Sequence, residues 1–204
     1  MIEQFLADME RLLWYLDRIE GGELTCIDSA ERLVKAQGLC EERLGAAIQT
    51  GVDAKLSLYL RQIKEKGEDI EFYTGLIQDL TRQFNLDQAD LEDKTREAIK
   101  EAEVRRYNYY VNMIENENIH FVEKARAIQR KYGLEGKALE EAIGRGEYGY
   151  LFHNMKQIRK GPRFHPLLPR EEDVLRGLAE KYGYEEELEE AIEQWRALGQ
   201  KSQR

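Results

Sequence analysis

The sequence predicts an all-α protein that is built from a duplicated helical unit. Apolar residues recur at steps of three and four along most of the 204-residue chain, which is the period of an amphipathic helix. Alternating runs of Val, Ile and Thr, which would indicate strands, do not occur. Segments of residues 1–95 resemble segments of residues 96–190 when the numbering is shifted by 95. These observations favour a tandemly duplicated helical repeat, α-solenoid-like or a repeat-built helical bundle, of about nine to eleven helices.

The duplication is clearest where Val122–Arg145 matches Ile27–Thr50 without a gap. Identical pairs at the offset of 95 include Gly38/Gly133, Leu39/Leu134, Leu44/Leu139, Ala47/Ala142, Ile48/Ile143, Gly51/Gly146 and Leu56/Leu151. An ungapped match that keeps glycines in register argues against chance similarity between unrelated helices. We therefore divide the chain into a first half, residues 1–95, and a second half, residues 96–204, which together form one continuous structural unit.

A shorter period is visible inside each half. Gly38, Asn85, Gly133 and Gly183 lie 47, 48 and 50 residues apart, and each follows a short run with helical periodicity. Gly adopts the left-handed conformation freely just past a helix C-terminus, and Asn is the next most tolerant residue. We expect all four residues to end a helix in that conformation.

The apolar pattern and its interruptions predict eleven helices. They cover about residues 2–20, 26–37, 41–50, 54–66, 70–84, 88–118, 121–132, 136–145, 148–160, 171–182 and 185–198. Breaks are expected at Gly51 and between Gly144 and Gly149, because each glycine inside a helix costs about 1 kcal/mol. A basic loop at residues 161–170 contains all three prolines of the chain and separates the helices on either side.

Charge and composition exclude several classes of protein. The net charge of −9 argues against a general nucleic-acid binder and against binding to an anionic membrane surface. No apolar run reaches the roughly 20 residues of a membrane helix, and the N-terminal segment carries acids where a signal peptide carries bases. Cys26 and Cys40 do not form a CxxC pattern, so a cytoplasmic protein with inert thiols is expected.

The sequence offers little chemistry for catalysis. Glu117 and His120 have the Glu-x-x-His spacing of di-iron bundles, but such a site needs a second copy of the motif, which the chain does not contain. His153 aligns with Leu58 at the offset of 95, which indicates a packing position. Neither a Ser/His/Asp arrangement nor a glycine-rich phosphate loop is present. We therefore predict no enzyme activity, no metal site and no cofactor.

Two groups of residues are candidates for contact with a partner. Trp14, Tyr15, Tyr109 and Tyr110 form adjacent aromatic pairs, and neighbours on a helix point about 100° apart, so one member of each pair must face a second surface. The stretch Lys156–Arg170 is basic and holds no acid. Its candidate binding residues are Lys156, Arg159, Lys160, Arg163 and Phe164. Packing between repeats and an ordinary solvated loop are the structural alternatives for these two groups.

Two functions follow from these features. The first is a non-enzymatic protein–protein interaction module: a helical-repeat adaptor, scaffold or chaperone-like subunit of a larger complex. The alternative is a nucleic-acid-binding accessory subunit of a ribonucleoprotein complex, which the net charge disfavours. It would use a repeated basic stripe formed by Arg11, Arg61, Arg106 and Lys156.

The glycine register gives a first testable prediction. Replacing Gly133 with Val should lower the free energy of unfolding by more than about 1 kcal/mol, because a β-branched residue resists a positive φ. Urea denaturation of the variant measures the loss. An unchanged midpoint would contradict the left-handed assignment at Gly133.

Overall fold

The computed structural model describes residues 2–38, 41–67 and 69–201, and within these ranges the chain is helical with no strand. Its α-helices are α1 (Ile2–Glu20), α2 (Ile27–Gln37), α3 (Glu41–Lys66), α4 (Ile70–Gln83), α5 (Gln88–Glu115), α6 (Val122–Tyr132), α7 (Lys137–Arg159), α8 (Pro169–Tyr182) and α9 (Glu185–Lys201). Short 3-10 helices at Leu24–Cys26 and Ile119–Phe121 precede α2 and α6. The all-α prediction is confirmed. None of the helices in these ranges has the length and apolarity that crossing a membrane requires.

The chain divides into two compact units, Met1–Glu103 and Val104–Arg204. The boundary falls inside α5, so this helix contributes its N-terminal part to the first unit and its C-terminal part to the second. The predicted halves, residues 1–95 and 96–204, were defined by the sequence repeat and not by compactness. That division stays a prediction.

Each unit contains two clusters of buried apolar side chains. In the first unit, one cluster joins α1, α2 and α3, and the other joins α3, α4 and the start of α5. In the second unit, one cluster joins α5, α6 and α7, and the other joins α7, α8 and α9. The long helices α3 and α7 therefore serve both clusters of their own unit. Their apolar residues must face two directions, which explains why their periodicity is less clear in the sequence.

The four predicted left-handed residues are confirmed. Gly38, Asn85, Gly133 and Gly183 have φ of 65°, 49°, 61° and 75°. The residue after Asn85, Gly133 and Gly183 donates its N–H to the carbonyl oxygen five positions earlier, at 2.9–3.1 Å. This bond satisfies a carbonyl that the helix end leaves without a partner, as in a Schellman motif.

The predicted breaks at Gly51 and between Gly144 and Gly149 are wrong, because α3 and α7 continue through them. Instead, these glycines allow two helix backbones to approach each other closely. A Cβ atom on Gly51 would lie 2.0 Å from the carbonyl oxygen of Ile19, and one on Gly146 would lie 1.9 Å from that of Ile114. The end of α1 thus lies directly against the middle of α3, and the end of α5 lies in the same way against α7. Only glycine leaves room for such a contact.

This close approach generates a second prediction. Gly51→Ala should destabilise the protein by about 3 kcal/mol or more, because the new methyl group meets backbone that cannot move aside. Gly45→Ala is the matched control in the same helix, since no atom lies within 4 Å of its added Cβ. The control should be neutral or stabilise the protein by up to about 1 kcal/mol through helix propensity. Urea denaturation measures both, and equal midpoints for the two variants would contradict the steric explanation.

Candidate partner-binding loop

The segment between α7 and α8, residues 160–168, forms a turn that we call the proline loop. The N–H groups of Phe164 and His165 donate to the carbonyl oxygen of Gly161 at 3.0 and 3.3 Å. Gly161 has φ of +101°, and a Cβ atom there would lie 3.1 Å from the side chain of Leu198 on α9. The loop ends with Leu168 in an extended conformation, directly before Pro169 at the start of α8. Its path is therefore set by local hydrogen bonds and by packing against α9.

His165 holds the proline loop to the helices beneath it. Its side chain is buried, and its Nε2 lies 2.7 Å from Oδ1 of Asn154 on α7. Asn154 Nδ2 donates to the carbonyl oxygen of Tyr150 at 2.8 Å, which leaves Oδ1 to accept and assigns the proton to His165 Nε2. From α9, Trp195 Nε1 donates to the carbonyl oxygen of His165 at 2.7 Å. Two helices thus anchor one residue in the middle of the loop.

A carboxylate and a phenol complete this polar cluster. The hydroxyl of Tyr150 donates to Glu171 Oε1 at 3.4 Å, and His165 Nε2 lies 3.5 Å from the same oxygen. Burial raises the pKa of Tyr150, and the charge and hydrogen bond of Glu171 raise it further. The phenol therefore remains protonated and able to donate at neutral pH. The cluster links α7, the proline loop and the first turn of α8.

The outer side of the loop is apolar and cationic. Phe164 and Leu168 are 63% and 60% exposed. Arg159, Lys160 and Arg163 are exposed around them, and Lys160 Nζ lies 6.0 Å from the centroid of the Phe164 ring. Together with Lys156 and Arg170 they make five basic side chains, none of which forms an ion pair with a carboxylate in residues 2–38, 41–67 or 69–201. The structure thus presents exposed apolar and cationic groups on a fixed backbone.

The two aromatic pairs lie elsewhere, one in each unit. Trp14 on α1 is 52% exposed and Tyr109 on α5 is 55% exposed, while Tyr15 and Tyr110 are half-buried. The guanidinium of Arg18 lies 4.8 Å from the centroid of the Trp14 ring. In the second unit, the Tyr110 ring stacks on Phe121 with centroids 5.0 Å apart. One member of each pair faces outward, as helical geometry requires.

The residues of the predicted basic stripe are divided between the two units. Arg11 and Arg61 are exposed on α1 and α3 of the first unit. Lys156 is exposed on α7 of the second unit, where Arg106 is half-buried on α5. Their arrangement as one stripe stays a prediction.

His120 and His153 lie outside the proline loop. The prediction that His153 is a packing residue is wrong, because its side chain is exposed and its Nδ1 lies 3.6 Å from Glu117 Oε2. His120 lies with its ring centroid 6.5 Å from that of Tyr150. No group of three or more His, Cys, Asp or Glu side chains with metal-binding geometry occurs among the residues that the structure describes. Cys26 is a free thiol, and Cys40 lies outside those residues.

Sequence reasoning missed the residues that fix the loop. Asn154, His165 and Trp195 come from separate segments, and no periodicity connects them. The periodicity of α1 also does not reveal that Ile2, Leu6 and Leu13, which follow the helical apolar period, are exposed. Tyr148 and Phe152 on α7 pack against Tyr182 and Tyr184, so these aromatic residues stabilise the second unit.

Comparisons with protein-family models, with curated proteins and with solved structures gave no match to this chain.

The anchoring of His165 generates a third prediction. Trp195→Phe removes the indole donor and leaves a buried carbonyl oxygen unpaired, so it should cost about 1–3 kcal/mol of unfolding free energy. Amide hydrogen exchange in the proline loop should also become faster. Trp14→Phe is the matched control, because that ring is exposed, and it should change stability by less than about 0.5 kcal/mol. Equal effects of the two substitutions would show that the indole hydrogen bond does not hold the loop.

Proposed function

We propose that the protein is a non-enzymatic protein–protein interaction module that docks a partner through the proline loop. The observation that supports this most directly is the exposure of Phe164 and Leu168 among basic side chains on a backbone that His165 anchors. A few well-packed side chains in the centre of a contact contribute most of the binding free energy, and the contacts around them exclude water. A fixed loop loses little conformational entropy when it binds.

The positive charge of the loop indicates that its partner carries an acidic surface. Arg159, Lys160 and Arg163 lack carboxylate partners in the described ranges, although the chain as a whole carries a net charge of −9. The complementary surface is an apolar pocket bordered by Asp and Glu side chains of another protein. The exposed Trp14 and Tyr109 are further contact candidates, because aromatic residues are enriched where proteins bind one another. Such a protein would act as an adaptor, scaffold or chaperone-like subunit within a larger complex.

We also infer that the chain is a duplicated helical repeat. Several features that recur at an offset of 95 support this. They are the glycine–carbonyl contacts at Gly51 and Gly146, the positive φ of Gly22 and Glu117, and the buried pairs Ala30/Ala125, Leu44/Leu139 and Ala47/Ala142. A repeated unit of this kind supplies a rigid scaffold from which a single modified loop can project.

The fourth prediction tests the docking surface by charge reversal. Replacing Arg159, Lys160 and Arg163 with Glu should weaken partner capture by roughly tenfold or more, because like charges then face the partner's acids. The matched control replaces the exposed Arg32, Lys35 and Arg43 of the first unit with Glu, which changes the net charge by the same amount. Tagged wild type and both variants are used in pull-downs from the native lysate, with and without nuclease, and circular dichroism checks folding.

Three outcomes are distinguishable in this experiment. A stoichiometric protein that survives nuclease, persists with the control and is lost with the loop variant supports the proposal. Capture that persists with the loop variant would contradict the docking surface. Recovery of nucleic acid, with proteins lost on digestion, would replace the proposal with the ribonucleoprotein alternative and its stripe of Arg11, Arg61, Arg106 and Lys156.

A further inference from the structure

A groove with unpartnered hydroxyl groups lies between α4 and α5 in the first unit. Its volume is about 390 Å³, and Ile77, Leu91 and Ile99 form its apolar walls. Thr95 lines the groove and is only 7% exposed. The hydroxyl oxygens of Thr95 and of Thr74, on the opposite helix, are buried and have no hydrogen-bond partner within the described residues. The groove therefore combines apolar walls with two polar groups that lack a protein partner.

Two other helical threonines satisfy their hydroxyl groups within their own helix. Thr81 also lines the groove, and its Oγ1 donates to the carbonyl oxygen of Ile77 at 2.7 Å. Thr50 on α3 makes the same bond to Ala46 at 3.0 Å. A helical threonine can satisfy its hydroxyl in this way without any ligand. Thr74 and Thr95 do not, so their hydroxyls remain unpaired beside the groove.

The second unit has a comparable helix pair, α8 and α9, in which the position that corresponds to Thr95 is a buried isoleucine. α4 and α8 align at their left-handed ends, Asn85 and Gly183, and the following turn is one residue shorter in the second unit. By this alignment, Ile192 corresponds to Thr95 and Arg176 corresponds to Gln78. Ile192 is fully buried in the apolar cluster of α7, α8 and α9.

Charged side chains also connect α8 and α9. Arg176 forms ion pairs with Glu172 on its own helix and with Glu189 on α9. The residues that correspond to these two acids in the first unit are Thr74 and Glu92. The positions that hold a buried isoleucine and an ion-pair network between α8 and α9 therefore correspond, in the first unit, to residues that line the groove.

Two arginines, each with an acidic partner, lie at the mouth of the groove. Arg82 and Arg96 line it, and each has an exposed partner three residues earlier on its own helix, Asp79 at 3.6 Å and Asp93 at 2.8 Å. Exposed pairs of this kind are weak and exchange readily for another anion. Among the described residues, Glu92 is the carboxylate that lines the groove, and it accepts a hydrogen bond from Gln88 Nε2 at 2.7 Å.

We infer that this groove binds a small amphiphilic carboxylate, with an apolar body about the size of a medium-chain acyl group. Ile77, Leu91 and Ile99 would cover the apolar body. The hydroxyls of Thr74 and Thr95 donate to the polar head, and Arg82 and Arg96 favour its negative charge. The volume of the groove lies within the range of small-molecule sites in proteins. This site is independent of the proline loop, which belongs to the second unit.

Methyl NMR with decanoate as the probe tests the site. In protein labelled at isoleucine methyl groups, decanoate below its micelle concentration should shift Ile77 and Ile99 saturably with one-to-one stoichiometry. The methyl groups of Ile19 and Ile143, which are buried in other clusters, should not move. Absence of a saturable shift at Ile77 and Ile99 overturns the inference, as does an equal response at all four.

Substitutions that place residues of the second unit at the corresponding positions of the first unit test the site by their effect on decanoate binding. Thr95→Ile should weaken decanoate binding at least tenfold and raise the melting temperature, because the side chain fills the space. Gln78→Arg, which can pair with Glu92 across the mouth, should also weaken binding and serves if the first variant misfolds. Thr50→Ile is the control outside the groove and should bind like wild type. Unchanged binding in both groove variants overturns the site.

The role of the head group is tested separately with decanol. Wild type should bind decanoate at least fivefold more tightly than decanol, and the double variant Arg82→Gln, Arg96→Gln should lose this preference. Equal affinity for the two probes in wild type overturns the assignment of a carboxylate ligand.

Discussion

The contact of a glycine in a long helix with the carbonyl end of the helix two places earlier in the chain is the constraint on which each unit depends. At Gly51 and Gly146 the two backbones approach so closely that no side chain fits between them. This contact fixes where α1 crosses α3 and where α5 crosses α7. The buried leucines and alanines on either side can then interdigitate, since close-packed interiors leave no tolerance for a shifted crossing point. Each of these glycines is about 1 kcal/mol less favourable in a helix than alanine, and the close contact offsets this loss.

The position of the proline loop depends indirectly on the glycine contact at Gly146. Because α7 continues past Gly146 without a break, Asn154 lies on the buried side of the helix, where it meets His165. A break near Gly149 would have freed the C-terminal half of α7 to point elsewhere. α9 then completes the anchoring through Trp195. These internal contacts therefore fix the positions of the exposed side chains of the loop.

Local features of the fold could be predicted from the sequence, and contacts between distant segments could not. The left-handed residues at Gly38, Asn85, Gly133 and Gly183 were predictable, since a positive φ restricts the residue itself. Glycine inside a helix has two meanings, a break or a close approach, and only the neighbouring backbone distinguishes them. The candidate loop was identified by its charge and prolines. The anchoring by Asn154 and Trp195, and the orphaned hydroxyls of Thr74 and Thr95, depend on partners that spacing along the chain does not reveal.

The positions of the two tryptophans give the protein a built-in optical readout. Trp14 belongs to the first unit and is half exposed to water, whereas Trp195 belongs to the second and donates a hydrogen bond from a partly buried indole. Indole emission moves to longer wavelength as the ring is hydrated, so the two residues emit differently in the native state. A protein that keeps only one of them would report through its fluorescence on one unit alone. Cooperative or stepwise unfolding of the units can therefore be distinguished without attaching any dye.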